Sequence, residues 1–563
     1  MDTIPSDPSR TLTDPVMEKR LVLFFVLSFV IILGYPYLVQ RWMPQPPIPS
    51  SSVMTTPEKS TSGSPSTLSS ATPSTDSSVV PQSDAQTAST EPTVVEKVVE
   101  TDLYRAVLSS RGGTIRSWTL KKYTQNSETG GKRPISLISD HAPIFPLAIV
   151  GMEDVPFSLD ATPLRLSAAR PEESIEMVHT DATGHRIVKS LRFRNDGYDV
   201  AVRIAAAGRQ SITLSLGTNF GISDWTQGYG SNVGAISLVD QKVIRNQPTA
   251  EKKAVPHGSA PQWLAMQDKY FIGALAPAEQ IGVVTARYLG DKQLTVDLAI
   301  LESGGDAGAS DAKVSEFLLY AGPKEYDRLA EMRVRDRRVH LEESIDFGWF
   351  IAWSLLPVRL VAKPLFYILN FIYRFCENYG IAIILLTLLV KVAFFPLTKK
   401  SMVSMKAMAA LQPKMEAIRA KWSKDKTKMN LELMNLYKEH GVNPMSGCLP
   451  VLLQIPVFIA LFNVLYVTIE LRQAPFFLWV VDLSDQDPYY VLPILMGITM
   501  LVQQWLQPST MDPTQAKIML FLPVIYTFFS ISFPSGLILY WTVNNLLTIG
   551  QQYFINRAPG MGS

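Results

Sequence analysis

The chain has 563 residues, of which 47% are hydrophobic and 18% are charged, and its formal net charge is +2. That length exceeds a single small domain, and the nearly balanced charge gives no indication of nucleic-acid binding. The two cysteines, Cys376 and Cys448, fall near opposite faces of the membrane in the topology predicted below, and the six histidines lack zinc-ligand spacing. We therefore expect neither a disulfide nor a metal site.

A first transmembrane helix is predicted at residues 21–40. The apolar run LVLFFVLSFVIILGYPYLV is long enough to span a bilayer, follows a Lys-Arg pair and ends near Trp42. A cleaved signal peptide is the alternative, but its apolar core is usually shorter and no small-residue cleavage site follows. Residues 1–20 are then a cytoplasmic N-terminus. Residues 41–94, rich in Pro, Ser and Thr, are predicted to be a disordered linker.

Residues 95–340 change to the period-2 pattern of β-strands. Alternation over residues 187–194, a Gly-containing turn, and alternation over residues 198–204 predict a hairpin. Similar short strands recur at residues 212–216 and 293–298. The segment therefore predicts a large antiparallel β-sandwich, followed at residues 326–343 by a charged helical tail.

The C-terminal part has the composition of a membrane protein. Residues 341–379 interleave aromatic residues with widely spaced cations, which favours an amphipathic helix lying in the membrane interface. A spanning helix is the alternative, but the cations and two internal prolines argue against it. Five spans are predicted within residues 380–556, at 380–398, 449–469, 489–507, 518–533 and 535–555. With the first anchor they make an α-helical polytopic membrane protein of six transmembrane helices.

The basic residues set the predicted orientation. Residues 399–445 hold ten lysines and arginines against four acids, which places this loop in the cytoplasm by the positive-inside rule. Alternation of the spans then puts the β-domain on the outer side. It also puts both termini in the cytoplasm, including the short tail at residues 557–563. The loop at 399–445 is predicted to be a helical hairpin that turns near residues 423–426.

Lys391 is the one Asp, Glu, Lys or Arg well inside a predicted span, and such charges usually face a polar cavity. The alternative is a lysine that reaches the cytoplasmic headgroups with its long side chain. Polar residues at Thr387 and in other spans favour a wet groove, although each alone is more often a contact between helices. The candidate groove residues are Lys391, Thr387, Gln454, Asn463, Gln503 and Asn544.

The basic loop is also rich in methionine, whose flexible thioether suits an adaptable contact surface. The alternative, which uses the same helix face, is that the methionines pack one helix of the hairpin on the other. The candidate contact residues of this surface are Lys399, Lys400, Met402, Met405, Met408 and Lys414.

Several motifs give the chain a family resemblance. They are ELRQAPF at 470–476, DLS at 482–484, DPYY at 487–490, LQPK at 411–414, VNP at 442–444 and FPSG at 533–536. Together they closely resemble the YidC and mitochondrial Oxa insertase family. The RGG at 111–113 and residues 263–271 resemble the periplasmic domain of its Gram-negative members.

The resemblance implies a membrane protein insertase of the bacterial inner membrane. Its five-helix core would enclose a hydrophilic groove that is open to the cytoplasm and to lipid and closed on the outer side. Lys391 falls at the family's cation position, where many members carry Arg, and Lys keeps the charge without the planar fork. Tyr540 and Trp541 match positions that contact substrate.

The implied partners are nascent membrane proteins, the Sec translocon, the lipid bilayer and, through the loop at 399–445, weakly the ribosome. No cofactor and no enzyme activity are expected, and the chain has no GxxxxGK[ST] nucleotide loop. Two alternatives remain. A small-molecule transporter should show repeated halves with broken helices, which are not visible here. A sugar-epimerase-like enzyme in the β-domain needs an acid/base pair, and His179 and His185 are read as surface residues flanking a turn.

Overall fold

The structure is a computed structural model that describes residues 94–127, 131–207, 211–225, 233–301, 313–348, 358–442, 449–506 and 513–557. The predicted N-terminus, the first anchor and all but the last residue of the predicted linker lie outside the described residues. Residues 558–563 of the predicted tail lie outside them too. Within the described part, a β-rich domain is followed by helices.

Among its described residues, the β-domain has nineteen strands. They are β1 (Glu96–Glu100), β2 (Tyr104–Ser109), β3 (Thr114–Ser127), β4 (Gly131–Ser136), β5 (Leu164–Arg165), β6 (Glu172–Thr180), β7 (Arg186–Arg194), β8 (Asp199–Ala206), β9 (Ser211–Ser215), β10 (Gly234–Val239), β11 (Lys242–Ile244), β12 (Ala254–Ser259), β13 (Trp263–Gln267), β14 (Phe271–Pro277), β15 (Val283–Gly290), β16 (Gln293–Leu301), β17 (Lys313–Pro323), β18 (Arg333–Val334) and β19 (Arg337–Arg338).

These strands form three larger sheets and one small ribbon. The sheet orders are β4-β3-β2-β1-β5, β11-β10-β13-β14-β17-β8-β7-β6, β12-β15-β16-β9 and β18-β19. The pairings are antiparallel except that of β1 with β5. This agrees with the predicted antiparallel β-domain.

The predicted hairpin is present as β7 and β8. Leu191 of β7 lies opposite Val202 of β8, and both side chains are buried. Residues two apart on a strand point to the same face, so Phe193 and Val200 are buried beside them. The strands predicted at 212–216 and 293–298 are also present, as β9 and the first part of β16.

The predicted helical tail at 326–343 is only partly correct. A short helix, α1 (Tyr326–Glu331), is followed by β18, β19 and a 3-10 turn at Leu341–Ser344. The charged side chains bind the neighbouring sheet here: Arg335 donates to Glu316 at 2.8 Å, and Arg337 donates to the carbonyl of Pro277. These tertiary partners, together with the left-handed φ of +51° at Arg335, end the helix early.

The helical part contains eight further helices among the described residues. They are α2 (Val358–Cys376), α3 (Tyr379–Ala410), α4 (Gln412–Lys421), α5 (Lys426–Glu439), α6 (Leu449–Val467), α7 (Val491–Leu506), α8 (Pro513–Ser530) and α9 (Ser535–Arg557). Helix α2 lies inside the segment predicted as interfacial. Asn378 caps α3, since its Oδ1 accepts the backbone N–H of Ile381 at 3.1 Å.

Two helix boundaries differ from the predicted ones. Helix α3 continues twelve residues past the predicted end of its span at 398, so the hairpin begins at Gln412 and not at Lys399. Helix α8 overlaps the predicted span at 518–533, but it both begins and ends a few residues earlier than predicted. The turn of the hairpin falls at residues 422–425, close to the predicted position, and Asp425 caps α5 by accepting the N–H of Lys428 at 3.0 Å.

Among the described residues, one helix, α3, is both long enough and apolar enough to cross a membrane by itself. Shorter apolar stretches occupy Gln454–Val467 in α6, Val491–Leu506 in α7 and Leu520–Ser530 in α8. Large apolar side chains remain exposed on these helices, among them Leu389, Val392, Ile498, Phe521 and Phe528. An apolar exterior of this kind is suited to lipid and unfavourable in water.

The β-domain contacts one end of the helical part. The guanidinium of Arg472, which follows α6, donates to the carbonyl of Thr124 at 2.7 Å. The ammonium of Lys269 lies 4.0 Å from the ring centre of Tyr466. The domain therefore contacts the end of α6 and the loop that follows it, at the end of the bundle where α3 and α9 begin.

Candidate functional site

A row of polar contacts joins α3 to α9. The ammonium of Lys391 donates to Thr548 Oγ1 at 2.8 Å, and Gln551 Nε2 donates to Thr398 Oγ1 at 2.6 Å. Further along, Lys406 Nζ donates to the carbonyl of Ile555 at 2.8 Å. The contacts follow the same order along both helices, so α3 and α9 run side by side in the same direction. We call this row the polar seam.

A second set of hydrogen bonds links the seam to α6. Thr548 Oγ1 donates to the carbonyl of Asn544 at 2.7 Å, and Gln454 Nε2 donates to Asn544 Oδ1 at 2.9 Å. Lys391, Thr548, Asn544 and Gln454 therefore form one connected chain across three helices. The chain brings together three of the sequence-predicted groove residues, in helices that are otherwise mostly apolar.

The Lys391 side chain is directed into the bundle. Its ammonium donates to the middle of α9, at a threonine that is itself buried. A lysine that only reached towards headgroups would be expected to leave its ammonium at a helix end. The geometry favours the groove interpretation over the headgroup interpretation.

The other predicted groove residues lie elsewhere. Thr387 is buried and donates to the carbonyl of Ile383 within its own helix at 2.6 Å. Asn463 donates to the carbonyl of Phe347 at 3.0 Å, so it holds the segment that leaves the β-domain. Gln503 lies on α7, and its buried Oε1 has no hydrogen-bond partner among the described residues.

Two aromatic residues were expected to contact substrate. Tyr540 is almost fully buried, and its ring lies 6.2 Å from that of Phe458 on α6. Trp541 is half-buried, with its ring 5.0 Å from Phe458 and 5.5 Å from Tyr526 on α8, both edge-on. Trp541 is therefore the better placed of the two to meet a chain between α6, α8 and α9.

Three residues of the site were missed by the sequence reasoning. Thr398, Thr548 and Gln551 are neutral polar residues of the same kind as Gln454 and Asn544, so residue type alone did not single them out. A signal did exist in their spacing, because Asn544, Thr548 and Gln551 follow one face of α9 at i, i+4 and i+7. Asn545 lies off this face and donates to Thr499 on α7 at 3.2 Å, a contact between helices.

The loop between α6 and α7 is hydrogen-bonded to the start of α9. The carbonyl of Asp485 accepts from both the N–H and the hydroxyl of Ser535, at 2.7 and 2.8 Å. The N–H of Gly536 donates to the carbonyl of Leu483 at 2.9 Å, and a Cβ at Gly536 would come within 3.1 Å of the same oxygen. The FPSG motif therefore permits the close approach that holds this loop over the start of α9.

The hairpin of α4 and α5 has a small core of its own, formed by Leu411, Met415, Leu433 and Leu436. Of the predicted contact residues, Lys399, Lys400, Met402, Met405 and Met408 lie on the extension of α3 and not on the hairpin. Met408 is buried, whereas Met402 and Met405 are half-buried. Lys414 is on α4, with its Nζ 3.0 Å from His440 Nε2. Some of the methionines therefore pack helices, while Met434 is exposed.

A partly buried carboxyl, that of Glu470, lies where the β-domain meets the helical part. Burial raises the pKa of Glu470 to about 7, and the charges of Glu325 and Asp327 act in the same direction. Glu470 directly precedes the segment that binds Thr124 through Arg472 and Gln473. Within the described residues no group of three or more His, Cys, Asp or Glu is arranged to hold a metal ion.

Comparisons with known proteins identify the family. The model of the 60Kd inner membrane protein matches residues 371–561, and that of the YidC periplasmic domain matches residues 96–368. The membrane protein insertase YidC of Geotalea daltonii is 35% identical over 561 residues, covering 96% of this chain and 99% of the relative. The protein of the same name in Geotalea uraniireducens is 38% identical over 565 residues, with the same two shares.

Solved structures show weaker similarity. A crystal structure of an active YidC insertase with its first transmembrane domain resolved is 20% identical, with a TM-score of 0.36, and covers 81% of this chain and 92% of that one. A galactose mutarotase related enzyme from Lactobacillus acidophilus is 9% identical, with a TM-score of 0.26, and covers 40% of this chain and 97% of that one. The assignment rests on the sequence relatives. Because these match the chain from end to end at 35% and 38% identity, the chain belongs to the YidC membrane protein insertase family.

Proposed function

We propose that this chain is an insertase that moves hydrophobic segments of nascent membrane proteins into the bilayer. The observation that carries the proposal is the hydrogen-bonded chain of Lys391, Thr548, Asn544 and Gln454 across α3, α9 and α6. A polar side chain within an apolar helix raises the free energy of the folded protein unless it is paired or hydrated. The concentration of such side chains on three facing helices therefore supports a hydrated groove between them. The relatives named as insertases support the same function.

The proposed topology has six spans: the anchor at 21–40 and helices α3, α6, α7, α8 and α9. Helix α2 lies in the interface, with residues 341–379 joining the β-domain at 95–340 to the core at 380–556. The excess of cations at 399–445 supports a cytoplasmic location for the hairpin and both termini. The β-domain is then periplasmic, which fits its attachment to the loop after α6.

In this proposal the client enters the groove from the cytoplasmic end of the polar seam. The polar flank of the client is held by Lys391 and the neutral side chains near it, while its apolar part meets lipid beside the core. Hydrophobic partitioning of the client drives the step, and the membrane potential assists acidic flanks that move outward. No nucleotide and no cofactor takes part.

The proposed partners follow from the exposed surfaces. The hairpin of α4 and α5 with the basic end of α3 is the cytoplasmic surface for clients and, weakly, for the ribosome. The chain is proposed to work alone or beside the Sec translocon. A lipid bilayer surrounds the apolar exterior of the helices.

Site-specific photocrosslinking to ribosome-stalled nascent chains tests the groove. A photoreactive residue at Trp541 should capture a stalled single-span client, since Trp541 lies between α6, α8 and α9. The matched control is position Phe528 on α8, which is exposed on the outside of the bundle. Equal capture from both positions, or capture from Phe528 alone, would place the client outside the proposed groove.

A further inference from the structure

The loop between α6 and α7 carries an exposed apolar tip. Residues 474–481, Ala-Pro-Phe-Phe-Leu-Trp-Val-Val, contain no charged side chain. Phe477, Leu478 and Val481 are 55%, 88% and 67% exposed. In water, three large apolar side chains held outward on one short loop are unfavourable, because their surface stays hydrated.

The backbone at the tip is also in an unfavourable conformation. Leu478 has φ of +55°, in the left-handed region that residues other than Gly, Asn and Asp rarely adopt. Such a residue costs on the order of 1 kcal/mol and persists where its surroundings require it. The conformation here turns Leu478 away from the protein and into the exterior. The local backbone cost thus adds to the hydration cost of the same side chain.

Part of the backbone of the tip is paired by hydrogen bonds within the loop. The N–H of Phe476 donates to the carbonyl of Val480 at 2.9 Å, and the N–H of Val480 donates to the carbonyl of Phe477 at 3.1 Å. The N–H of Leu483 donates to the carbonyl of Ala474 at 3.0 Å, which closes the base of the loop. Irregular backbone normally avoids the bilayer because unpaired N–H and C=O groups are costly there. Internal pairing lowers this cost for the tip.

The tip lies at the level where the helices begin. Asn378, the cap of α3, donates from Nδ2 to the carbonyl of Phe476 at 3.2 Å. The Phe476 ring packs so closely on Gly380, in the first turn of α3, that a Cβ there would overlap it. The preceding helix α2 ends beside this point with Phe371 and Phe375 exposed. The apolar tip therefore continues an apolar surface at one edge of the bundle.

We propose that residues 474–481 insert into the bilayer leaflet on the side of the β-domain and anchor the loop in that leaflet. The aromatic composition matches that of membrane interfaces, where Trp and other aromatic residues concentrate. The charged neighbours are already engaged with the protein: Arg472 binds Thr124, and Asp482 accepts from the N–H and hydroxyl of Ser484. A surface of large apolar side chains without a charged one suits acyl chains better than a specific protein partner.

Site-directed spin labelling of the full chain in nanodiscs, at one copy per disc, tests the anchor. The background is Cys376→Ser with Cys448→Ser, and the labels are placed by Leu478→Cys and, separately, Val481→Cys. Collision rates with oxygen, which concentrates in the bilayer, are compared with those of a water-soluble nickel complex. References are Phe528→Cys on α8, for lipid, and Leu431→Cys on the exposed face of α5, for water.

We expect positions 478 and 481 to favour oxygen over nickel, as position 528 does, with at least a several-fold difference from position 431. Accessibility to nickel at both positions equal to that at 431 would overturn the proposal. Protection from both reagents would also overturn it, because it would show a protein surface covering the tip. The side chains of Leu478 and Val481 are mostly exposed and pack little against the protein, so neither substitution should disturb the fold. The measurement does not depend on insertase activity.

Discussion

Lys391 and Thr548 are 157 residues apart in the chain, yet the ammonium of the first donates to the hydroxyl of the second at 2.8 Å. This contact fixes the charge at the junction of α3 and α9 and connects it to Asn544 and Gln454. The contact is the basis for predicting how substitutions of Lys391 or Thr548 change client insertion.

The first prediction concerns the charge at position 391. Lys391→Ala should reduce insertion of clients with acidic translocated segments by roughly fivefold or more, since a hydrogen bond to a charged group contributes about 1.5–3 kcal/mol. Lys391→Arg should retain most activity, and Lys391→Glu should be the most impaired, because it repels acidic flanks. The measurement is the inserted fraction of a client series that differs only in flank charge. Equal insertion across the series in Lys391→Ala would mean that the hydrated groove acts without this cation.

A second prediction separates the Lys391 contact from general helix packing. Thr548→Val keeps the side-chain shape but removes the acceptor of Lys391, so insertion should fall about threefold or more. Thr542→Val is the matched control, because Thr542 is buried on the same helix and donates to the carbonyl of Ile538. It should insert clients at nearly the wild-type rate. The contact would be irrelevant to insertion if the two variants behaved alike.

A third prediction concerns the cytoplasmic hairpin. Replacing residues 412–441 by a short Gly-Ser linker should abolish insertion while the spans remain in the membrane, because the proposed client-receiving surface is lost. Residues 399–410 are kept, since Lys406 binds the carbonyl of Ile555 and so supports the bundle. Protease protection of the spans checks the fold, and a client insertion assay checks the activity. A stable variant that still inserts clients normally would refute the role of the hairpin.

The fourth prediction is a pH dependence of stability. Glu470 has a pKa of about 7 in the folded protein and an ordinary value of 4.5. The folded state therefore keeps this proton over a range in which the unfolded chain loses it. Stability should fall as the pH rises from about 4.5 to about 7, and this contribution should stay constant above that range.

Thermal unfolding in detergent at pH 5 and pH 8 measures this effect. Glu470→Gln should remove most of the fall in the unfolding temperature and leave the protein more stable than wild type at pH 8. Glu432→Gln, on the exposed face of α5, is the control and should show the wild-type fall. An unchanged fall in Glu470→Gln would assign the pH dependence to other groups.

The fifth prediction concerns the β-domain. Deleting residues 60–320 should leave a core that still inserts clients, because the proposed groove lies in the helices. The thermal stability of that core should be lower, since Thr124 no longer binds the loop after α6 and Lys269 no longer contacts Tyr466 at the end of α6.

Extending the deletion through residue 347 should be far more damaging than the shorter one. It removes the carbonyl of Phe347 that accepts from Asn463 and the hydroxyl of Tyr326 that accepts from Tyr367 at 2.9 Å. Insertion yields and unfolding temperatures of the two deletions give the comparison. Equal loss of activity in both would show that the β-domain itself is required.

Local patterns were sufficient to predict much of this fold. The alternation on either side of the turn at 195–198 predicted β7 and β8, and the charged break near 423–426 predicted the turn between α4 and α5. Such features depend on neighbours in sequence, which a single chain displays directly. The apolar runs likewise predicted the approximate positions of α6, α7 and α9.

Contacts between distant elements could not be read in the same way. The sequence indicated that Lys391 faces something polar but not that its partner is Thr548, because that depends on how α3 and α9 align. Asn463 was placed in the groove by its residue type, whereas packing directs it to Phe347. The end of α3 was placed too early because its extension is polar on one side, and the amphipathic pattern resembled that of a separate hairpin.

Helix α3 has a mechanical consequence for how the two ends of the core communicate. It runs for 32 residues, roughly 48 Å, from Tyr379 to Ala410, and α4 follows after the single residue Leu411. A force applied to the hairpin is therefore transmitted directly to α3, the helix that contains Lys391. Pro396 lies between Lys391 and the hairpin, and proline removes one of the hydrogen bonds that stiffen a helix. Helix α3 is least stiff at Pro396. A displacement of the hairpin therefore either bends α3 at Pro396 or moves Lys391 relative to Thr548.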